Sequence, residues 1–283
     1  MYDSVSPSDP SIPAAGDALR AVRADSEVRA VFGANEAGTH IERVFERGSL
    51  RLRFPRGAGC EAVLINTGGG ITGGDRIAID LSLAQTSAAV VTSQAAEKIY
   101  RTDGPPAVIS MHARLASDAH LDWLPQETIL FNGAAVQRTL DIELASTASL
   151  TLLESLVLGR IAHGEHLTQA HWHDRWRIRR ADRLIFAENV RLDGAISDTM
   201  QRPAIGAGAR ALATLLHVAP DAERKLDDVR AALASASSTC AASAWDGILV
   251  VRFAGLEPQS IRRDCISAAT VIRGVPMPRA WSC

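Results

Sequence analysis

The chain lacks any pair of cysteines at disulfide-framework or zinc-finger spacing. Cys60, Cys240, Cys265 and Cys283 are scattered over 283 residues with no C-x-x-C between them. That excludes a disulfide scaffold and a closed structural zinc site, and the four read as thiols of a reducing cytoplasm. No apolar run approaches the roughly 20 residues that span a bilayer, and the Ser-, Pro- and Asp-rich start has no charged segment leading into an apolar one. A membrane location is therefore not expected, and the protein is placed in the cytosol. Charge of one sign is also missing: the formal balance is −2, which makes nucleic acid an unexpected partner. Neither a Gly-x-Ser-x-Gly nucleophile elbow nor a phosphate-loop lysine occurs, so the sequence offers poor ground for an enzyme.

Apolar side chains are plentiful. At 47% hydrophobic and 22% charged, the chain has enough to build one full core. Pro7, Pro10 and Pro13 stand among Ser and Asp, a composition that buries little. It predicts a flexible leader over residues 1–30, followed by a single β-rich domain over 31–283 with helical elements after about 200. Within that domain, short stretches of period-two alternation recur about every ten residues, separated by Gly, Pro, Asn or Asp. Leu50, Leu52 and Phe54 face one way and Arg51 and Arg53 the other. Ile77, Ile79, Leu81 and Leu83 form another face, and Val136, Arg138, Leu140, Ile142 and Leu144 a third. The fold class expected is mainly β, β-helix-like or multi-sheet, with a few short helices towards the C-terminus. Those helices are an amphipathic one opening at Asp221, one after Pro258, and one over 204–218 suggested by Ala and Leu content. A strand is expected over 248–253.

Several constellations have chemical potential. Residues 66–75 read Asn-Thr-Gly-Gly-Gly-Ile-Thr-Gly-Gly-Asp. A phosphate cradle would need a helix N-terminus after the glycines, whereas a strand follows here, so a strand-to-strand turn tied by Thr and Asp is favoured. The alternative is a small-molecule or nucleotide-binding enzyme using the Gly68–Gly74 turn. Residues 92–101 read as a short helix with Ser93 at its start and a Glu97–Arg101 ion pair. Glu127, Glu154 and Glu188 lie in or beside apolar strings. A carboxylate there must point outward, pair with an arginine such as Arg160, or line a wet cavity. Converging carboxylates would hold a divalent cation loosely, as transit requires.

His163, Glu165, His166, His171 and His173 bring imidazoles close in sequence. The spacing matches no tetrahedral signature, so His163, His166, His171 and His173 form a candidate weak metal cluster. Alternation then puts His171, His173, Arg175, Arg177 and Arg179 on one face and Trp172, Trp176 and Ile178 on the other. The basic face is either an edge strand defended by charge or, through Arg175, Arg177 and Arg179, a docking surface for an acidic partner.

In order, the segments Gly48-Ser49-Leu50-Arg51, residues 64–76, Gln94-Ala95-Ala96-Glu97-Lys98-Ile99-Tyr100-Arg101, Leu124-Pro125-Gln126-Glu127-Thr128-Ile129-Leu130-Phe131, residues 154–160 with Gly164-Glu165, and Pro278-Arg279-Ala280-Trp281 resemble the urease accessory protein family UreD, also called UreH. The resemblance runs from about residue 40 to 283, with little that is diagnostic over 200–245. It implies a non-enzymatic, helix-poor scaffold that binds the helical accessory protein UreF and, through it, the GTPase UreG, in a complex that engages apo-urease. Nickel would pass through the scaffold to the urease centre, whose bridging lysine is carbamylated, and GTP hydrolysis would belong to the partner. No tightly bound cofactor is implied, only transient nickel. On this reading Asp75, Glu97, Glu127, Glu154, Glu165 and Glu188 are candidates for lining the passage.

Overall fold

The computed structural model describes residues 23–57 and 59–282. Most of the expected leader lies outside them. Its last residues do not, because β1 (Asp25–Asn35) begins inside the stretch 1–30 and pairs in parallel with β5. In chain order the remaining strands are β2 (Gly38–Arg47), β3 (Leu50–Arg53), β4 (Cys60–Asn66), β5 (Arg76–Leu83), β6 (Ala88–Ser93), β7 (Glu97–Ile99), β8 (Ala107–Leu115), β9 (His120–Leu124), β10 (Thr128–Leu130), β11 (Ala135–Leu144), β12 (Ser149–Leu158), β13 (Ala170–Arg180), β14 (Arg183–Gly194), β15 (Ala211–Val218), β16 (Thr239–Trp245) and β17 (Ile248–Gly255).

They form two sheets. One runs β14-β13-β11-β8-β5-β1-β2 and the other β16-β17-β15-β12-β9-β6-β4-β3, with β7 and β10 branching from β12. From β4 to β13 the main strands alternate between the sheets, and those within a sheet are parallel. The chain therefore winds as stacked solenoidal coils, the mainly β, β-helix-like body expected. Its rungs are uneven: Arg76, Val108, Gln137 and His173 are successive partners across the first sheet, 32, 29 and 36 residues apart. Antiparallel strands close both ends of the stack, β2 and β3 at one and β14 to β17 at the other.

The main core lies between the sheets, where alternation delivers Leu81, Met111, Leu140 and Trp172 from one side and Leu50, Leu121 and Leu152 from the other. Strand β12 is buried on both faces, which explains its nearly unbroken apolar run. Its outward residues Leu153 and Val157 meet a second core roofed by helices. The short α1 (Ile196–Gln201) precedes α2 (Leu226–Ala232) and α3 (Pro258–Arg273). Helix α3 starts with Pro258, whose missing N–H is no loss there, and ends at Gly274 at φ 70°. Ile261, Cys265, Ala268 and Ile272 give it its buried stripe. The helices expected after Asp221 and Pro258 and the strand at 248–253 are present. No described helix is long and apolar enough to cross a membrane.

Two expected helices are strands instead. Residues 204–218 end in β15, central between β12 and β17, because an Ala- and Leu-rich string suits a strand buried on both faces as well as it suits a helix. Residues 92–101 form the end of β6, a bend and β7. Ser93 Oγ does not cap a helix: it accepts the Gln126 N–H at 2.8 Å and donates to the Ala95 carbonyl at 3.0 Å. The Glu97–Arg101 pair is not made, since Arg101 reaches Asp103. Strand β13 is no edge, because β14 covers it on the side away from β11.

Candidate functional site

Three charged side chains meet between the sheets. Arg138 on β11 and Asp174 on β13 are direct partners in the parallel ladder, and both point inward with the apolar residues of their strands. The Arg138 fork donates to Asp174 from Nε at 2.9 Å and from Nη2 at 2.6 Å, and its Nη1 donates to Glu154 across the gap on β12. Indole N–H groups complete the cluster. Trp123 donates to Glu154 Oε1 at 2.8 Å, Trp176 donates to Asp174 Oδ2 at 3.0 Å, and the guanidinium lies 5.0 Å from the Trp172 ring centre. All three charged residues are buried. Burial alone would favour a neutral Arg138, but Asp174 and Glu154 outweigh it and hold the cation above its ordinary pKa. Burial also pushes the Glu154 carboxyl above the usual carboxylate range, opposed by Arg138 and the Trp123 N–H.

Cavities adjoin this cluster on two sides. One, of about 340 Å³, is walled by Trp172, Asp174, Trp176, Glu188, Cys240 and Arg252, together with Arg138 and Glu154. The other, of about 220 Å³, is walled by Ile77, Met111, Trp123, Asn66, Glu97 and Gln126, again with Arg138 and Glu154. Among the described residues no arginine or lysine lies within salt-bridge distance of Glu97: Asn66 Nδ2 donates to its oxygens at 3.2 and 3.1 Å, and the Lys98 N–H donates at 3.2 Å. Burial outweighs these bonds and pushes its carboxyl above the usual range. In the other cavity Glu188 is clamped by the exposed Arg252 at 2.9 and 2.6 Å.

Of the six carboxylates expected along a passage, Glu97, Glu154 and Glu188 thus line these two cavities. The other three lie elsewhere. Asp75 ties the glycine turn by accepting the N–H groups of Ala24 at 2.9 Å and Thr72 at 2.8 Å. Glu127 pairs with Arg262 of α3 at 3.0 Å beside a narrow cavity of about 10 Å³. Glu165 is forked by Arg160 at 3.0 Å and held below the usual carboxylate range by that bond.

The glycine turn is closed upon itself. The N–H groups of Thr67, Gly68, Ile71, Thr72 and Gly74 already bond Ser49, Asn66, Lys98, Asp75 and Pro106. A Cβ at Gly70 would sit 2.3 Å from the Tyr100 ring. Those amides are not free to cradle a phosphate. The histidines are dispersed: His163 and His166 sit in the loop after β12, while on β13 His171 meets Asp193 at 3.0 Å and His173 meets Asn189 at 2.9 Å. Among the described residues no group of three or more His, Cys, Asp or Glu side chains is arranged to hold a metal ion. The basic face of β13 points outward as expected, but acidic Asp141 and Glu143 of β11 stand beside it, with Arg179 3.8 Å from Asp141.

Sequence reasoning did not single out Arg138 and Asp174 as members of a buried charge cluster. Their signal was present: each is a charge on the inward side of an alternating strand, where period-two patterning calls for an apolar residue. The C-terminal Pro-Arg-Ala-Trp segment also finds its reason here. Arg262 bonds Gln126 at 2.5 Å and the Trp281 carbonyl at 2.9 Å and lies over the Trp281 ring, so the segment straps the Pro125-Gln126-Glu127 turn from outside.

Comparison with known proteins agrees over almost the whole chain. The family model described as UreD urease accessory protein matches residues 24–282. The urease accessory protein UreD of Xanthobacter autotrophicus is 43% identical over 98% of this chain and 96% of its own length. UreD of a Methylobacterium species is 46% identical over 92% and 95%, and UreD 1 of Methylobacterium radiotolerans 46% over 99% of both. These relatives are named for an accessory role and not for a reaction. With inward charges set among cavities, a closed glycine turn and this breadth of similarity, the chain belongs to the UreD family of urease accessory proteins.

Proposed function

We propose that this protein is the scaffold through which nickel reaches apo-urease, acting in a complex with UreF and, through UreF, with the GTPase UreG. The observation that carries the reading is the pair of carboxylate-bearing cavities inside the β body, which have Arg138 and Glu154 in common. Hard oxygen donors met one at a time suit a divalent cation in transit, because no single stop holds it with a closed donor set. Glu97 lines the smaller cavity with no arginine or lysine within salt-bridge distance among the described residues, Glu154 is common to both walls, and Glu188 stands in the wall of the larger. The outward arginines Arg175 and Arg177 offer an acidic partner a place to dock.

The test is to change Glu97 and Glu188 to Gln, singly and together, which keeps volume and hydrogen bonding while removing charge. Both variants are expected to fold and capture UreF. Activation of urease should fall about tenfold per lost anion at limiting nickel, as for the loss of a charge pair of about 1.4 kcal/mol. Full activation by the double variant would reject the passage.

A further inference from the structure

Arg138 occupies the position a travelling cation would need. The guanidinium sits between Glu154 and Asp174, bonded to both, and borders the cavity on either side. With both carboxyls ionised the cluster sums to one negative charge. Without the arginine it would carry two, and a divalent cation there would form a neutral, desolvated complex with indoles as its walls. Such a site would be a trap, because leaving it means separating opposite charges in a medium of low dielectric. With the arginine retained, the loaded cluster carries one net positive charge, and the repulsion favours departure.

We infer that Arg138 is a gate: a tethered counter-cation that holds the Glu154–Asp174 site closed until a divalent cation displaces it, and that drives the cation onward when it returns. This rests on the passage proposed above. The arrangement leaves the arginine somewhere to go. Cavities of about 340 and 220 Å³ flank it, and the Trp172 ring, over which the guanidinium already lies at 5.0 Å, walls the larger, so the guanidinium can swing into that space while staying against the indole. No bond is made or broken; one cation replaces another.

Arg138→Met and Arg138→Lys, each co-purified with UreF, test the gate by calorimetric titration with Ni²⁺ and by thermal midpoint with and without Ni²⁺. Arg138→Met should bind Ni²⁺ at least about tenfold more tightly than the unaltered protein, from the loss of one opposing charge. Its midpoint should rise on adding the metal, and its urease activation should fall because the ion is retained. Adding Glu154→Gln and Asp174→Asn to Arg138→Met should abolish the new affinity. Arg138→Met leaves two buried anions unpaired and can fail to fold; Arg138→Lys then decides. A lysine keeps the charge but cannot fork both carboxylates, so Ni²⁺ should displace it more readily and bind more tightly than to the unaltered protein. Unchanged Ni²⁺ affinity in folded Arg138→Lys overturns the gate. If Glu97→Gln still lowers activation in that case, the gate alone has failed; full activation by the Glu97 and Glu188 double variant rejects the passage itself.

Discussion

His217 shows how one side chain ties stability to pH. It lies buried on β15 with Nδ1 3.2 Å from the Thr151 hydroxyl and Nε2 without a partner among the described residues. Burial, reinforced by the nearby His120 and Lys225 and opposed weakly by Asp221 and Asp122, lowers its pKa from 6.5 to about 4. The folded state therefore resists a proton that the unfolded chain accepts. Its contribution is complete above pH 6.5 and is lost as pH falls from there towards 4, in all about 3 kcal/mol. Replacing His217 with Leu should shrink the fall in thermal midpoint across that window. A pH profile parallel to that of the unaltered protein would show that other groups govern acid unfolding.

Strand β13 separates its two faces by environment. Inward, Trp172, Asp174, Trp176 and Ile178 are buried. Outward, Arg175 is exposed and Arg177 donates to the Trp176 and Glu188 carbonyls at 2.8 and 3.4 Å. Changing the exposed Arg175 to Glu should alter folding by under about 1 kcal/mol, since a solvated charge on a sheet face contributes little, while weakening capture of UreF, and adding Arg177→Glu should cost somewhat more through its lost carbonyl bonds and the neighbouring Asp141. Trp176→Ala should do the reverse, costing about 3 to 5 kcal/mol through a cavity beside a buried carboxylate that loses its indole donor. Denaturant midpoints and pull-down yields for the two variants check this, and equal losses of stability would show the arginine face to be structural. Alternation made this strand legible from sequence. It did not make legible that β14 pairs beyond it, since pairing order depends on winding that no local pattern records.

At the scale of the molecule, strand faces were readable because period two survives in each rung, whereas the stacking was not, because rungs of 32, 29 and 36 residues leave no fixed repeat to detect. The site divides in the same way. Glu154 and Glu188 were legible as carboxylates beside apolar strings, but Glu127 gave the same local signal and pairs with Arg262; Glu97 stood in a stretch read as a helix, and Asp75 and Glu165 became candidates only through the family resemblance. What separates Glu154 and Glu188 from Glu127 is long-range contact. The surface also bears on assembly: Leu256, 60% exposed, lines a surface hollow of about 430 Å³ with Gly206 and Ala254, and Ile205, next to Gly206 in the chain, is exposed as well. Apolar area left open in this way favours self-association until a partner covers it. The chain purified alone should elute as oligomers in size-exclusion chromatography, and co-expression with UreF should suppress them. A stable monomer at high concentration would refute this.

The stacked ladder also acts as a ruler. Neighbouring strands in a sheet stand about 4.8 Å apart whatever the length of the loops between them. Thr128 is paired with both Glu97 and Leu156, so the backbone of Glu97 lies about 10 Å, two rungs, from that of Leu156, two residues beyond Glu154. Loops can therefore lengthen or shorten without moving the anions along the stack, and the step from one anion to the next can change only by whole rungs.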